Sequence, residues 1–185
     1  MISTNEFHTG ITIEYEGDIY NILEFQHVKP GKGAAFVRSK LKNIRTGAIT
    51  DKTFRAGEKV GRAHLERKEM EYLYRDGDFF HVMDMESYEQ ITLSEGQLGD
   101  SIKYLKENDR LTVALYKEEI VGVDIPLTVT LAVAETEPGV KGDTASGASK
   151  QAKMETGLVV QVPLFINEGD LLRIDTRTGN YIERA

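Results

Sequence analysis

Residues 26–40 read QHVKPGKGAAFVRSK, and the Pro-Gly corner at their centre sets the architecture expected around it. In Lys29-Pro30-Gly31-Lys32, Pro30 fixes φ for the second position of a turn and Gly31 can take the positive φ of the third, which predicts a type II turn. Both flanks alternate as strands do. Ahead of the corner, Ile19, Tyr20, Ile22, Leu23 and Phe25 supply β-compatible residues. Beyond it, Ala35, Val37, Ser39 and Leu41 share one face, leaving Arg38, Lys40 and Lys42 on the other. The stretch reads as a hairpin with lysine at its tip and a basic stripe down the returning strand. A turn lysine is most often a solvated surface residue, so local pattern alone gives Lys32 no task.

Working outward, residues 1–64 hold strand patterns at 10–15, 19–28, 34–45 and 49–55, which suits a small barrel. The texture changes near residue 64. MEYLYRDGDFFHVMD carries Asp76-Gly77 between two apolar and aromatic runs, a hairpin signal, and YEQITL offers a further strand. In SEGQLGDSIKYLKEND, Leu98, Ile102 and Leu105 fall at helical spacing, with lysines near the end where they suit the helix dipole. RLTVALYKEEIVGVDIP then gives two strands about a charged turn. Five strands and one helix suggest an OB-like barrel over 65–127. Beyond Pro126, LTVTLAVAETE opens a third β unit, 128–185, followed by a Gly, Ser, Thr and Ala-rich loop. LVVQVPLFI, DLLRIDT and NYIER supply its later strands, with Thr178-Gly179-Asn180 as a turn. Val162, Pro163, Phe165 and Ile174 are expected in its core.

Composition narrows the function classes. The 185 residues are 40% hydrophobic and contain no cysteine, so there is no disulfide framework, thiolate nucleophile or cysteine zinc site. No run approaches the roughly 20 apolar residues that cross a bilayer. MISTNEFHTG has neither the basic nor the apolar region of a secretory signal, so a cytoplasmic protein without membrane contact is expected. Net charge is −7, unevenly placed: ten Lys and Arg against seven Asp and Glu in 1–64, seven against fifteen in 65–127, six against eight in 128–185. A basic end on an acidic body can steer toward phosphate while suppressing indiscriminate binding; the acidic middle serves solubility equally well.

Catalytic motifs are absent. There is no G-x-x-x-x-G-K-[ST] and no G-x-S-x-G, and His8, His27, His64 and His81 lack metal-ligand spacing. Asp76 and Asp78 flank a turn, where aspartate is favoured for backbone reasons. The sequence predicts neither catalytic residues nor a metal or dissociable cofactor.

Two separated stretches carry a resemblance. KPGKG at the hairpin tip and KQAKMETGLVVQVPLFINEGDLLRIDTRTGNYIER near the end together resemble the bacterial elongation factor P family. The long stretch matches through Lys150, Ala152, Gly157, Val162-Pro163, Phe165, Gly169-Asp170, Asp175-Thr176, Gly179, Tyr181 and Arg184. Leu172 stands where the family usually has isoleucine, and GDTASGAS keeps the Gly-Asp-Thr start with fewer glycines than many members.

The resemblance spans essentially the whole chain. It implies an all-β fold of three small barrels in series, a KOW/SH3-like barrel and two OB-fold barrels, L-shaped like tRNA. It also implies a monomer that binds the ribosome between the P and E sites, beside the P-site peptidyl-tRNA, and relieves stalling at consecutive prolines. Lys32 becomes the residue carrying a covalent modification, added by a lysine-modifying enzyme, whose chemistry the sequence does not specify. Lys29, Pro30, Gly31, Gly33, Arg38, Lys40 and Lys42 become candidates for tRNA or ribosome contact at the first barrel. Gly142, Asp143, Thr144, Tyr181 and Arg184 are the candidates at the third.

Other classes share parts of this pattern. An elongation factor P-like paralogue would have the same architecture. Biotinyl and lipoyl carrier domains also expose a modified lysine on a β-turn, but in a different turn context and without two barrels behind it. A plain OB-fold binder of single strands would need basic grooves with exposed aromatics in the second and third units, against their charge.

Overall fold

The structure, a computed structural model, describes residues 1–139 and 148–185. The chain forms two compact units, Met1–Arg67 with Ala114–Gly122, and Lys68–Val113 with Val123–Ala185. As expected, it is an all-β protein, built on three curled antiparallel sheets.

The first sheet holds β1 (Ile2–Ser3), β2 (Thr12–Tyr15), β3 (Asp18–Val28), β4 (Phe36–Asn43), β5 (Ile49–Arg55) and β6 (Lys59–Arg62), in the order β1-β6-β2-β3-β4-β5. Period-two alternation buries Ile13, Ile22, Val37, Leu41 and Phe54 on one side. Phe54 meets Phe7 and Tyr15 nearly perpendicular, with ring centroids 5.5 and 5.3 Å away, the edge-to-face geometry that aromatic quadrupoles favour. Burying each of these large side chains contributes about 1.5–3 kcal/mol, and this core is the footing of the long β3–β4 hairpin. A smaller cluster in the same unit joins Ile19 and Ala63 to Tyr116, with Ile44, Leu65 and Val121 packed around it.

The second sheet holds β7 (Glu66–Asp76), β8 (Phe79–Asp84), β9 (Gln90–Ser94), β10 (Arg110–Tyr116) and β11 (Glu119–Asp124), ordered β11-β10-β7-β8-β9. Asp76 pairs with Phe79, which leaves Gly77-Asp78 as a two-residue loop. Gly77 has φ +60° at the first loop position, where a type II′ turn needs glycine.

The single helix expected across Leu98, Ile102 and Leu105 does not form. Ser94 and Gln97 make a capping box and α1 runs only over Glu95–Leu98, followed by a 3-10 stretch at Gly99–Tyr104. The reason is Gly99, whose φ of +54° cannot continue an α-helix. Leu98 and Leu105 still reach the core, from an α turn and from beyond the 3-10 stretch.

The third sheet holds β12 (Thr128–Thr136), β13 (Ser149–Met154), β14 (Val159–Pro163), β15 (Leu171–Asp175) and β16 (Tyr181–Arg184), ordered β14-β13-β12-β15-β16. Val162 and Ile174 lie in its core as expected, and Pro163 is half-buried. Phe165 corrects the expectation: it is 57% exposed, and Ile166 is the buried residue. β14 ends at Pro163 and the chain turns there, with the Ile166 amide donating to the Pro163 carbonyl. Strand alternation therefore stops before Phe165.

One turn design recurs in all three sheets. Asn43, Asp84 and Asp175 each end a strand, and each accepts a backbone N–H two residues on through its side-chain oxygen, at 2.9, 2.8 and 2.8 Å. Each also accepts, through its main-chain carbonyl, the N–H of the residue four places later: Gly47, Tyr88 and Gly179. A hydroxyl at the fourth place, Thr46, Ser87 or Thr178, accepts the N–H two residues beyond it. These are Asx turns with a left-handed exit.

Candidate functional site

The fingertip rests on register. β3 and β4 pair from Tyr20 with Asn43 out to Val28 with Phe36, and a β-bulge lies between Ile22 and Glu24. A bulge adds local twist and bends its strand, here near the root of the arm. The root is also braced: Asn43 Nδ2 donates to Asp18 Oδ2 at 2.7 Å, and Arg45 spans Asp18 at 2.6 Å and Glu119 at 3.0 Å. These donors, Asn43 foremost, hold the Asp18 carboxyl below its usual range.

Between Val28 and Phe36 lies a seven-residue tip, 29–35, with its bend at 31–33. Here the expected type II turn is corrected. Positive φ falls on Gly33, at +105°, and not on Gly31. A Cβ at Gly33 would meet Pro30 Cγ at 3.9 Å, whereas one at Gly31 would project into open space. Pro30 thus folds back over Gly33 and is half-buried, while Lys29, Gly31, Lys32 and Gly33 are exposed. Among the described residues, neither Lys29 nor Lys32 makes a hydrogen bond or ion pair. Lys32 stands at the end of a long two-stranded hairpin, flanked by two glycines that add no side-chain bulk.

Down the outer face, alternation places Arg38, Lys40 and Lys42 together, opposite the buried Val37, Ser39 and Leu41. The register distinguishes the three cations. Arg38 lies between Gln26 and Thr53, and Lys42 between Asn21 and Ile49, so both have neutral neighbours. Lys40 lies between Glu24 and Asp51, and its Nζ is 3.6 Å from the Glu24 carboxylate. Of the three, it is the one with acidic neighbours. A shallow groove of about 530 Å³ follows this row past Gln26, Arg38 and Lys40.

Arg55 is not among the candidates that the sequence singles out. It pairs with Phe36, the first strand residue after the tip, and lies exposed on the same outer face. The signal was available: with Phe54 inward on a strand read as 49–55, Arg55 must point outward. The stripe near the tip is therefore Arg55 and Arg38, with Lys42 further down. Lys52 is differently used, since its Nζ lies 4.9 Å over the Tyr15 ring and its pKa is raised chiefly by a hydrogen bond to Tyr15.

The third sheet treats its candidates otherwise. Tyr181 is half-buried against the core of that sheet. Arg184 lies over the Phe165 ring at 5.5 Å and 3.9 Å from Asp170, so it is already engaged by its own unit. Gly142, Asp143 and Thr144 lie outside the described residues.

Comparison with known proteins agrees with this architecture. Residues 3–60 match the elongation factor P KOW-like domain, residues 65–123 its OB domain and residues 129–184 its C-terminal domain. Elongation factor P of Desulfitobacterium hafniense strain Y51 is 64% identical over 185 residues, covering all of both chains. That of Pelotomaculum thermopropionicum is likewise 64% identical over the full length of both. Among solved structures, eukaryotic translation initiation factor 5A from Methanococcus jannaschii shares the fold at a TM-score of 0.55 and 22% identity, over 68% of this chain and 90% of that one. With three domain matches in order along the whole chain and relatives of this closeness, the chain belongs to the elongation factor P family of translation factors.

Proposed function

We propose that this chain binds the ribosome beside the P-site peptidyl-tRNA and speeds peptide-bond formation at consecutive prolines, acting through a covalently modified Lys32. The observation that carries this reading is the fingertip: an exposed lysine without a partner among the described residues, at the end of a long hairpin anchored in a well-packed core.

The chemistry needs positioning more than acid or base. Proline reacts poorly because its ring fixes φ and its nitrogen is a constrained secondary amine. Holding the reacting ends in a near-attack arrangement lowers the entropic part of the barrier, an effect of up to about 7–11 kcal/mol in the most favourable systems. A cation on a narrow tip suits an RNA-walled cleft, where it pairs with phosphate and lengthens its reach if the amine is extended. Arg38, Arg55, Lys42 and Lys29 would hold the barrel on the phosphate backbone without reading sequence. Lys40 contributes less, because Glu24 already engages it. Gly142, Asp143 and Thr144 remain proposed contacts of the third domain.

The test is translation of a Pro-Pro-Pro template in a reconstituted system, with natively produced protein whose mass at residues 26–40 has been mapped. An adduct on Lys32 and a loss of stimulation in Lys32→Ala are expected. Equal stimulation by mutant and modified wild type would overturn the reading, and biotin or lipoate on Lys32 would point to a carrier.

A further inference from the structure

The tip of the β10–β11 hairpin, Ala114–Gly122, belongs to the same compact unit as the first sheet. Between Tyr116 and Glu119 its loop is two residues, Lys117 and Glu118, with φ of +48° and +68°, the type I′ geometry of a tight hairpin. Each end of that loop takes hold of the first sheet. Tyr116 buries its ring against Ile19 and Ala63 and donates its hydroxyl to the Glu14 carboxylate. β6 makes room for this: Gly61 pairs with Glu14, and a Cβ there would lie 3.0 Å from Glu14 Cβ and 3.2 Å from its Oε2. At the other end, Glu119 accepts from Arg45 Nε at 3.2 Å and from Nη2 at 3.0 Å, a bidentate pair. The remaining Arg45 nitrogen, Nη1, donates to Asp18 at 2.6 Å, and Asp18 also accepts from Asn43.

The grip falls at one place in the fold. Asp18 and Ile19 open β3, Asn43 closes β4 and Arg45 follows it, so the tip holds both strands of the Lys32 hairpin at the end remote from Lys32. From Tyr20 to Val28 that hairpin runs eight residue steps, about 26 Å at about 3.3 Å per step. A rotation of about 5° at the root would carry the far end by about 2 Å over such a length. Where a reaction is assisted by positioning, a displacement of about 1 Å can cost about a hundredfold in rate. Arg45 and Glu119 are 33% and 52% exposed, and ion pairs this open add little to stability. A bidentate pair nevertheless specifies direction.

We propose that Tyr116 and Glu119 are positioning residues for peptide-bond formation: they clamp the root of the Lys32 hairpin and so fix where its tip points. This role deepens the ribosomal reading above and rests on it. Two measurements on the full chain test it. The first uses Tyr116→Phe/Glu119→Gln, which keeps the ring and the size of both side chains, with modification of Lys32 matched to wild type by mass. On the Pro-Pro-Pro template its maximal rate should fall at least about tenfold, while the half-saturating concentration stays within about threefold of wild type. Its unfolding temperature should be nearly unchanged. The second is electron–electron distance measurement, without ribosomes, between nitroxide labels at Gln26→Cys and Glu118→Cys. Both places are exposed, and the chain has no other cysteine. The distance distribution should be narrow with the clamp intact and clearly wider in the double variant.

An unchanged distribution would overturn the clamp. A wider distribution with an unchanged maximal rate would overturn the positioning role, as would a loss confined to the half-saturating concentration, which would assign both residues to ribosome binding. A marked fall in unfolding temperature would assign them to folding and overturn it too. If wild type did not speed the template at all, the ribosomal reading itself would fail, whatever the distances showed, and the positioning role with it.

Discussion

Two regions of this chain present cations to solvent, and they are built on opposite terms. At the tip of the first sheet, Lys32 and Lys29 have no partner among the described residues, and Arg38 and Arg55 stand among neutral neighbours. At the edge of the third sheet, Arg184 is placed over Phe165 and near Asp170, and Arg173 is bonded to Glu183. A charge satisfied within the molecule has less to gain from a ligand, because binding must first break what it already has. The first region is thus available for recognition, while the second spends its charge on holding its own strands. Position on a strand does not separate these cases; what each side chain already touches does, for Arg184 pairs in register with the neutral Leu172 and is still engaged by Phe165 and Asp170.

The contrast is most exposed at Lys32. Lys32→Ala should lower the rate through Pro-Pro-Pro by at least about tenfold, equivalent to about 1.4 kcal/mol of transition-state stabilisation, with the unfolding temperature unchanged. Kinetics on proline-rich and ordinary templates, paired with a melting curve, would check both halves. A fall in stability would mean that the tip is structural after all.

The stripe gives the next effect. Removing Arg38 and Arg55 together should weaken ribosome binding and reduce the slope of log affinity against log salt by about one per cation lost. Lys40→Ala should change that slope far less, because Glu24 already lies beside it. Equal effects from Lys40 and Arg38 would show that the ion pair opens on binding.

Arg184→Ala should do the reverse of Lys32→Ala. Loss of an exposed cation–π contact costs about 0.5–1 kcal/mol of stability, visible as a small shift in denaturant midpoint, with little change in ribosome affinity. A large affinity loss would move Arg184 into the recognition surface.

Acid response sharpens the comparison of the turns themselves. Asp84 is held below the ordinary carboxylate value near 3.8, first by the Glu86 N–H, and Asp175 likewise, first by Arg177. A lowered folded pKa means the unfolded chain takes up protons first. The stability these groups contribute is therefore present at neutral pH, begins to fall below about pH 5, and is lost as pH drops through the folded pKa. Asp84→Asn keeps an oxygen acceptor, as Asn43 does in the first turn, and should unfold with a shallower dependence on pH between 5 and 3. An unchanged slope would show that Asp84 has the same pKa folded and unfolded.

Much of this was legible in the sequence because the physics is local. Alternation placed Val37 and Leu41 opposite Arg38 and Lys42, and Asp76-Gly77 announced its hairpin. What could not be read depended on longer-range choices. Which of Gly31 and Gly33 takes positive φ is set by how Pro30 folds back, and both are glycines. Helical spacing at Leu98, Ile102 and Leu105 concealed a break, because Gly99 is compatible with a helix until its φ is known. Phe165 looked like core from composition, but a turn after Pro163 gave that place to Ile166. The rank order within the basic stripe needed the register that sets Lys40 between Glu24 and Asp51.

The central claim is that the residue-32 side chain reaches the aminoacyl end of peptidyl-tRNA and acts there by restraint. The most direct measurement is a cryo-EM map of natively produced protein on ribosomes stalled at consecutive prolines, at a resolution that shows side chains. The account predicts continuous density from residue 32 to within contact of the 3′ end of the P-site tRNA, with Arg38 and Arg55 against phosphate. A tip lying in solvent, or pointing away from the acceptor end, would contradict it.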